Sequence, residues 1–282
     1  MKYMYKSYYI FLRSDWKELI MSAKTNHPIV RISHLSKSYG NITALLDVSL
    51  DIYAGEILAI VGDNGAGKST LIKALSGAVK PDSGFIQVGE QSYHSLSPIK
   101  AIRLGISAVY QDLALVDCRD VVSNIFLGRE IVKAGVLIDR SKMEKEAGRI
   151  LDSLQVSIPS LKTPVGLLSG GQRQGVAVAR AIIQGGNVII FDEPTAAMGV
   201  QESAKVIRLM QELARAGMAV VVISHNLHHV FEIAERICVL RHGQIAAICN
   251  TTDYQPNQIV ELIMGAAPVL KDITGGQKDA AN

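Results

Sequence analysis

Apolar and polar residues alternate along IVRISHL and again along ITALLDVSLDI, from Ile29 to about Asp51, around a turn at Tyr39-Gly40-Asn41. A period of two belongs to strands with one covered face, so the chain is expected to open its domain with antiparallel strands. The pattern then changes. Ile57 to Val61 is wholly apolar, a buried strand, and runs into a glycine-rich turn and a helix with apolar positions at Leu71, Ile72 and Leu75, closed by Gly77. A short strand pair is expected around GFIQVGE, and from about Ser97 to Val165 the spacing turns mostly helical, with polar loops near Asp117 and Pro159. Beyond it, helices and strands alternate: helix Gly171 to Gln184, strand Val188 to Phe191, helix Gln201 to Ala216, strand Ala219 to Ile223, helix Leu227 to Ile233, and a hairpin ICVLRHGQIAAI. Buried strands alternating with helices predict an α/β fold with a mainly parallel sheet. The domain is expected over residues 27–265, with an inserted helical subdomain at about 97–165 and a loosely held tail at 266–282.

Composition narrows the class without naming a site. The chain has 282 residues, 48% hydrophobic and 20% charged, which suits one globular domain carrying a subdomain rather than a disordered chain. A formal charge of +3 is too small to argue for a nucleic-acid partner. No apolar run approaches the ~18–20 residues that cross a bilayer. The three cysteines, Cys118, Cys238 and Cys249, are scattered without CxxC spacing, so neither a disulfide framework nor a zinc site is expected. Residues 1–26 differ from the rest, with four of the nine tyrosines and the one tryptophan in the first twenty positions. They are read as a peripheral extension, with Met21 as the natural start. The competing reading is an amphipathic helix laid on a membrane or partner.

The run GDNGAGKS, Gly62 to Ser69, matches G-x-x-x-x-G-K-[ST] in the strand, turn and helix context that a phosphate cradle requires. Glycines at Gly62, Gly65 and Gly67 let backbone N–H groups curl around phosphate oxygens, and the helix behind adds its positive end. Lys68 supplies charge for the β and γ phosphates, and the Ser69 hydroxyl can bind Mg²⁺. The candidate nucleotide-binding run is therefore Gly62, Asp63, Asn64, Gly65, Ala66, Gly67, Lys68, Ser69 and Thr70. A second apolar strand, VIIF, ends in the carboxylates Asp192 and Glu193. Beside a cradle, the first suits holding Mg²⁺ through water, and the second can reach a water in line with the γ-phosphate as general base. Alone, the pair would describe a solvated turn.

About a hundred residues after the cradle stands LSGGQRQ, Leu168 to Gln174, just ahead of a helix. Its Ser169, Gly170 and Gly171 place hydroxyl and backbone donors at a helix N-terminus, a second phosphate-binding surface in one chain. Here the sequence resembles the ATP-binding cassette family over roughly Ile29 to Ile248. The resemblance implies that Ser169, Gly170, Gly171 and Gln172 clamp the ATP held by the facing protomer's cradle. It also implies a P-loop fold of the cassette type, ATP and Mg²⁺ as ligands, Tyr39 against adenine, Gln111 on Mg²⁺ and the attacking water, and His225 on the γ-phosphate. By themselves these residues equally describe a turn tyrosine packed on the core, a loop glutamine and a hydrogen-bonded strand-end histidine. His228 and His229 are read as helix residues without a role.

One departure is informative. The family usually carries an aspartate where this chain has Gly199 after Met198. EPTAA followed by a hydrophobic and a non-acidic residue resembles the ATPases that energise monosaccharide import of the ribose, xylose and fructose kind, as do GDNGAGKSTLIKALSGAVKPDSG and ISHNLHHVFEIAERI. That resemblance implies a homodimer or paired cassette, an integral membrane sugar permease, a periplasmic sugar-binding protein, and residence at the cytoplasmic face of a bacterial inner membrane. The alternatives are a cassette ATPase without a permease, of the iron–sulfur assembly type, and a nucleotide-dependent module that barely hydrolyses.

Overall fold

A computed structural model describes residues 27–133, 137–196 and 198–266. The N-terminal extension expected at 1–26, and the tail apart from Ala266, lie outside the described residues. Strands β1 (Val30–Tyr39) and β2 (Ile42–Ile52) pair antiparallel, with Val30 opposite Ile52 and Tyr39 opposite Ile42. Val30, Ile32 and Leu35 are buried. The three-residue step from Ile32 to Leu35 breaks the period of two, and the chain absorbs it in a bulge where His34 takes a φ of 53°.

Next come β3 (Ile57–Val61), α1 (Lys68–Leu75), β4 (Ser83–Val88) and β5 (Gln91–Tyr93). β4 joins the other edge of β1, so the first sheet runs β2-β1-β4-β5 and is antiparallel throughout. Helix α2 (Pro98–Arg103) follows, then β6 (Ile106–Val109), inside the stretch expected to be helical. That expectation is corrected here: β6 pairs parallel with β9 (Val188–Asp192), so the helical insertion starts only beyond Val109. ISAV is four residues long, buried at Ile106 and Val109 and set off by Gly105 at a φ of 84°; a run that short has no period to read.

The insertion proper contains α3 (Val121–Ile125), a two-rung hairpin of β7 (Val132–Lys133) and β8 (Leu137–Ile138), and α4 (Arg140–Ser153). Its apolar faces, among them Val122, Ile125, Met143 and Ile150, join one cluster with Val176 and Ala179 of α5 (Gly170–Ile183). The rest is α6 (Val200–Arg215), β10 (Ala219–Ile223), α7 (Leu227–Ile233), β11 (Arg236–Arg241), β12 (Gln244–Asn250) and α8 (Pro256–Met264). The second sheet runs β12-β11-β3-β10-β9-β6, parallel except for β12. Its central strands send alternate residues to two cores: Ala59, Phe191 and Val222 to one, Ile60, Ile190 and Ile223 to the other. No described helix is long and apolar enough to cross a membrane.

The insertion is held by a buried amide. Asn124, 1% exposed, accepts the Val116 N–H at 2.7 Å and donates through Nδ2 to the carbonyls of Val116, Asp120 and Arg119 at 3.1, 3.0 and 3.2 Å. It closes the polar loop expected near Asp117 onto α3. Asn124→Ala is expected to cost about 2–3 kcal/mol by stranding those backbone groups, read as a melting temperature lower by roughly 5–10 °C.

Candidate active site

Ile223, the last residue of β10, pairs with Ile60 on one side and Asp192 on the other. The loops leaving β3, β9 and β10 therefore emerge at one level of the sheet, where sites of parallel α/β folds form. The loop after β3 is pressed against its neighbours. A Cβ at Gly62 would overlap the Leu240 carbonyl oxygen, and one at Gly67 the Ala44 carbonyl oxygen. Gly67 caps α1 at a φ of 107°, which leaves the first N–H groups of that helix free of a side-chain cap. Ala66 donates its N–H to Asp63 and accepts from Gly243 N, at 3.1 and 3.0 Å, so β12's turn fixes the far side of the loop. Asp63, Asn64, Gly65 and Ser69 are exposed around the opening, while Thr70 is half-buried one position into the helix.

Lys68 folds back over this loop and donates to the carbonyls of Gly62 and Asp63 at 2.6 and 2.9 Å. Burial pulls its ammonium below the usual lysine range, against the pull of Glu193, Asp63 and Asp192. Asp192 is shifted the other way: burial first, then Glu193, raise its carboxyl above the usual range, while Lys73 and Lys68 oppose. Glu193 leaves the strand in the left-handed region at a φ of 51°, and its N–H donates to Ile223 O at 3.0 Å. Its Oε2 accepts from His225 Nδ1 at 2.8 Å. The His225 side chain is 75% exposed against 20% for Glu193, so the imidazole covers the carboxylate from the solvent side.

Gln111, two residues past β6, borders a cleft of about 430 Å³ together with Glu193, Gly170, Arg173 and Glu202. Ser169 caps α5, accepting from Gln172 N while Gln172 Oε1 accepts from Ser169 N at 3.0 Å; Gln172 Nε2 reaches Ser157 O at 2.8 Å. The structure thus brings Gln111, Glu193 and Gly170 to one cleft, with His225 on Glu193. Tyr39 stands apart at the end of β1, 46% exposed with Lys37 Nζ 5.5 Å from its ring centroid, so its ring is not a core element.

Two residues here escaped the sequence reading. Arg180 of α5 donates to Leu113 O at 2.7 Å and Ala114 O at 2.9 Å, tying the segment after Gln111 to the helix behind Ser169, and burial lowers its pKa. Its signal was a lone arginine inside the apolar run VAVARAII. Thr195 Oγ1 shares a hydrogen bond of 3.2 Å with His229 Nδ1. No spacing rule connects those two positions.

The cradle fits a triphosphate: Gly62 and Gly67 leave no room for side chains, its helix end is uncapped, and Lys68 is at hand. Oxygen donors at Ser69, Gln111 and Asp192 suit a hard cation such as Mg²⁺. A family profile described as ABC transporter matches residues 45–196. The chain belongs to the ABC transporter family. Among its relatives, the fructose import ATP-binding protein FrcA of Rhizobium meliloti is 47% identical over 85% of this chain and 95% of its own length. The xylose/arabinose import ATP-binding protein XylG of Sulfolobus acidocaldarius is 42% identical over 85% and 95%. The ribose import ATP-binding protein RbsA 2 of Burkholderia ambifaria is 39% identical over 84% of this chain but 47% of its own. Among solved structures, a nucleotide-free ATP-binding cassette from an ABC transporter superposes with a TM-score of 0.73 at 26% identity, covering 83% of this chain and 98% of that one. The dimeric post-hydrolysis state of the cassette MJ0796 bound to ADP and Pi gives 0.67 at 26% identity, over 79% and 98%. As a member of this family the cassette is an ATPase.

At Gly199, the N-cap of α6, φ and ψ are −70° and 164°, no side chain caps the helix, and a Cβ would meet nothing within 4 Å. Any residue fits that backbone. Gly199→Asp is therefore expected to stabilise the cassette by a few tenths of a kcal/mol, roughly 1 °C in thermal unfolding; a clear loss of stability would contradict the open N-cap.

Proposed function

We propose that this cassette hydrolyses ATP to energise import of a monosaccharide through a separate membrane permease, working as one of two copies that face head to tail. The relatives named for fructose, xylose/arabinose and ribose import support the sugar class, since each is matched over most of this chain. The dimeric cassette with ADP and Pi supports the paired arrangement. In this reading the cassette lies on the cytoplasmic face of the membrane, against the permease, and receives sugar indirectly from a periplasmic binding protein.

The observation that carries the catalytic assignment is the Glu193–His225 hydrogen bond of 2.8 Å at the same sheet edge as the cradle. Gly62 to Thr70 bind the phosphates through backbone N–H groups and Lys68, and Tyr39 lies against the adenine. Glu193 takes the proton of the attacking water. His225 orients that carboxylate through Nδ1 and turns Nε2 toward the γ-phosphate. Gln111, within reach of the same cleft, holds the water from the other side and relays its position to the helical insertion. When bound, Mg²⁺ would be held by Ser69, Gln111 and, through water, Asp192, and would neutralise charge developing on the phosphates. Ser169, Gly170, Gly171 and Gln172 close over the ATP of the facing copy, so the site is completed by dimerisation.

Glu193→Gln is expected to keep ATP binding, lower kcat by about 100-fold or more, and accumulate as a dimer on size-exclusion chromatography with ATP. Normal phosphate release by that variant would sink the general-base role. Lys68→Ala is expected to weaken ATP affinity by at least about tenfold, since it removes a charge-assisted phosphate contact. ATPase activity assayed with and without the permease, against a panel of sugar-loaded binding proteins, tests the transport reading; stimulation by no sugar would refute it.

A further inference from the structure

One contact beside the acid pair has no part in the reading above. His229 lies one turn into α7, where the N-cap Asn226 accepts its backbone N–H at 3.3 Å, and its ring meets Thr195 Oγ1 at 3.2 Å. His225 stands just ahead of the same helix and holds Glu193 at 2.8 Å. The start of α7 therefore grips the turn after β9 at two points, Glu193 and Thr195. Pro194, between them, is buried, and it lines a small space under the turn with Ser224, Thr195 and His229.

The turn has reason to be gripped. A left-handed backbone at a residue with a Cβ costs on the order of 1–2 kcal/mol and persists where its surroundings impose it. Within the turn itself, Ala196 N donates to Glu193 O at 3.1 Å and Met198 N to Thr195 O at 3.3 Å, both main-chain bonds that a relaxed turn could also form. The Thr195–His229 bond differs: it refers the turn to the helix whose start carries His225. It spans 34 residues of sequence, against 32 for Glu193–His225, and the two bonds are two residues apart at one end and four at the other. Together they tie the turn to α7 at the Glu193 carboxylate and at the Thr195 hydroxyl.

We propose that His229 is a positioning residue for ATP hydrolysis: through Thr195 it holds Glu193 in its left-handed turn and keeps the carboxylate on His225. The proposal rests on the general-base reading of Glu193. His229 needs no charge for this, because the neutral ring bonds through Nδ1 as donor or acceptor.

The test is steady-state hydrolysis by the full chain, with ATP affinity measured separately. His229→Leu is expected to lower kcat about tenfold while KM and Kd for ATP stay within about twofold, the signature of a misplaced catalytic group. His229→Asn, whose amide reaches about where Nδ1 stands, restores most of the rate. Thr195→Val reproduces the loss and Thr195→Ser restores it. The His229→Leu, Thr195→Val double variant is no slower than either single one, because both remove the same bond. Unchanged kcat in both single variants overturns the proposal, as does a loss explained by weaker ATP binding or a double variant in which the two losses multiply. Should His229→Leu fail to fold, Thr195→Val, which keeps the side chain's shape, carries the test. Glu193→Gln in the same assay separates the two readings. If it is inactive while His229→Leu is unaffected, the bracing alone fails; if it hydrolyses at the wild-type rate, the general-base reading fails and takes the bracing with it.

Discussion

The carboxyl end of β10 is the constraint on which the site depends. Ile223 pairs with Ile60 and with Asp192, and its carbonyl also accepts the N–H of Glu193, so one residue sets the level at which three loops leave the sheet. Ile223 is buried, as are Ile60 beside it and Val222 and Phe191 one position back, so a slip of the register by one position would drive apolar residues of β9 or β10 into the wrong core. Packing on both faces of the sheet thus maintains a geometry that no bond within the site could hold alone.

The charges at that edge are mutually dependent. Lys68 loses hydration over the loop, Asp192 loses it at the strand end, and each is helped by the other's sign. Lys68 spends its hydrogen bonds on two main-chain carbonyls rather than on a carboxylate, which keeps Asp192 and Glu193 from being locked in an ion pair with it. The acid pair is in turn divided by the backbone: Asp192 ends the strand, and Glu193 turns off it toward His225.

Much of this was legible in the sequence. The wholly apolar runs Ile57 to Val61 and Ala219 to Ile223 are central strands because continuous burial leaves no polar position, and the cradle announces itself by glycines, of which Gly62 and Gly67 have no room for a larger residue. What escaped shares a physical cause. The strand Ile106–Val109 is too short for its period to show, and its identity comes from β9 across the sheet. Arg180 and His229 act through hydrogen bonds to groups brought near by the fold, up to 67 and 34 residues away, and Asn124 acts on backbone groups of its own loop that only the folded turn presents to it; a linear pattern holds no record of such meetings. Gly199 is the opposite case: its departure was visible in the sequence, and the structure adds that the backbone there makes no demand for glycine.

Arg180 reaches the oxygens of Leu113 and Ala114 through the main chain, not through their side chains. Main-chain carbonyls are present whatever residue occupies the position, so this tether is blind to sequence. The segment it anchors can exchange its outward-facing residues one at a time, adapting its surface to a different neighbour, while the mechanical link back to the helix behind Ser169 passes through every such change intact.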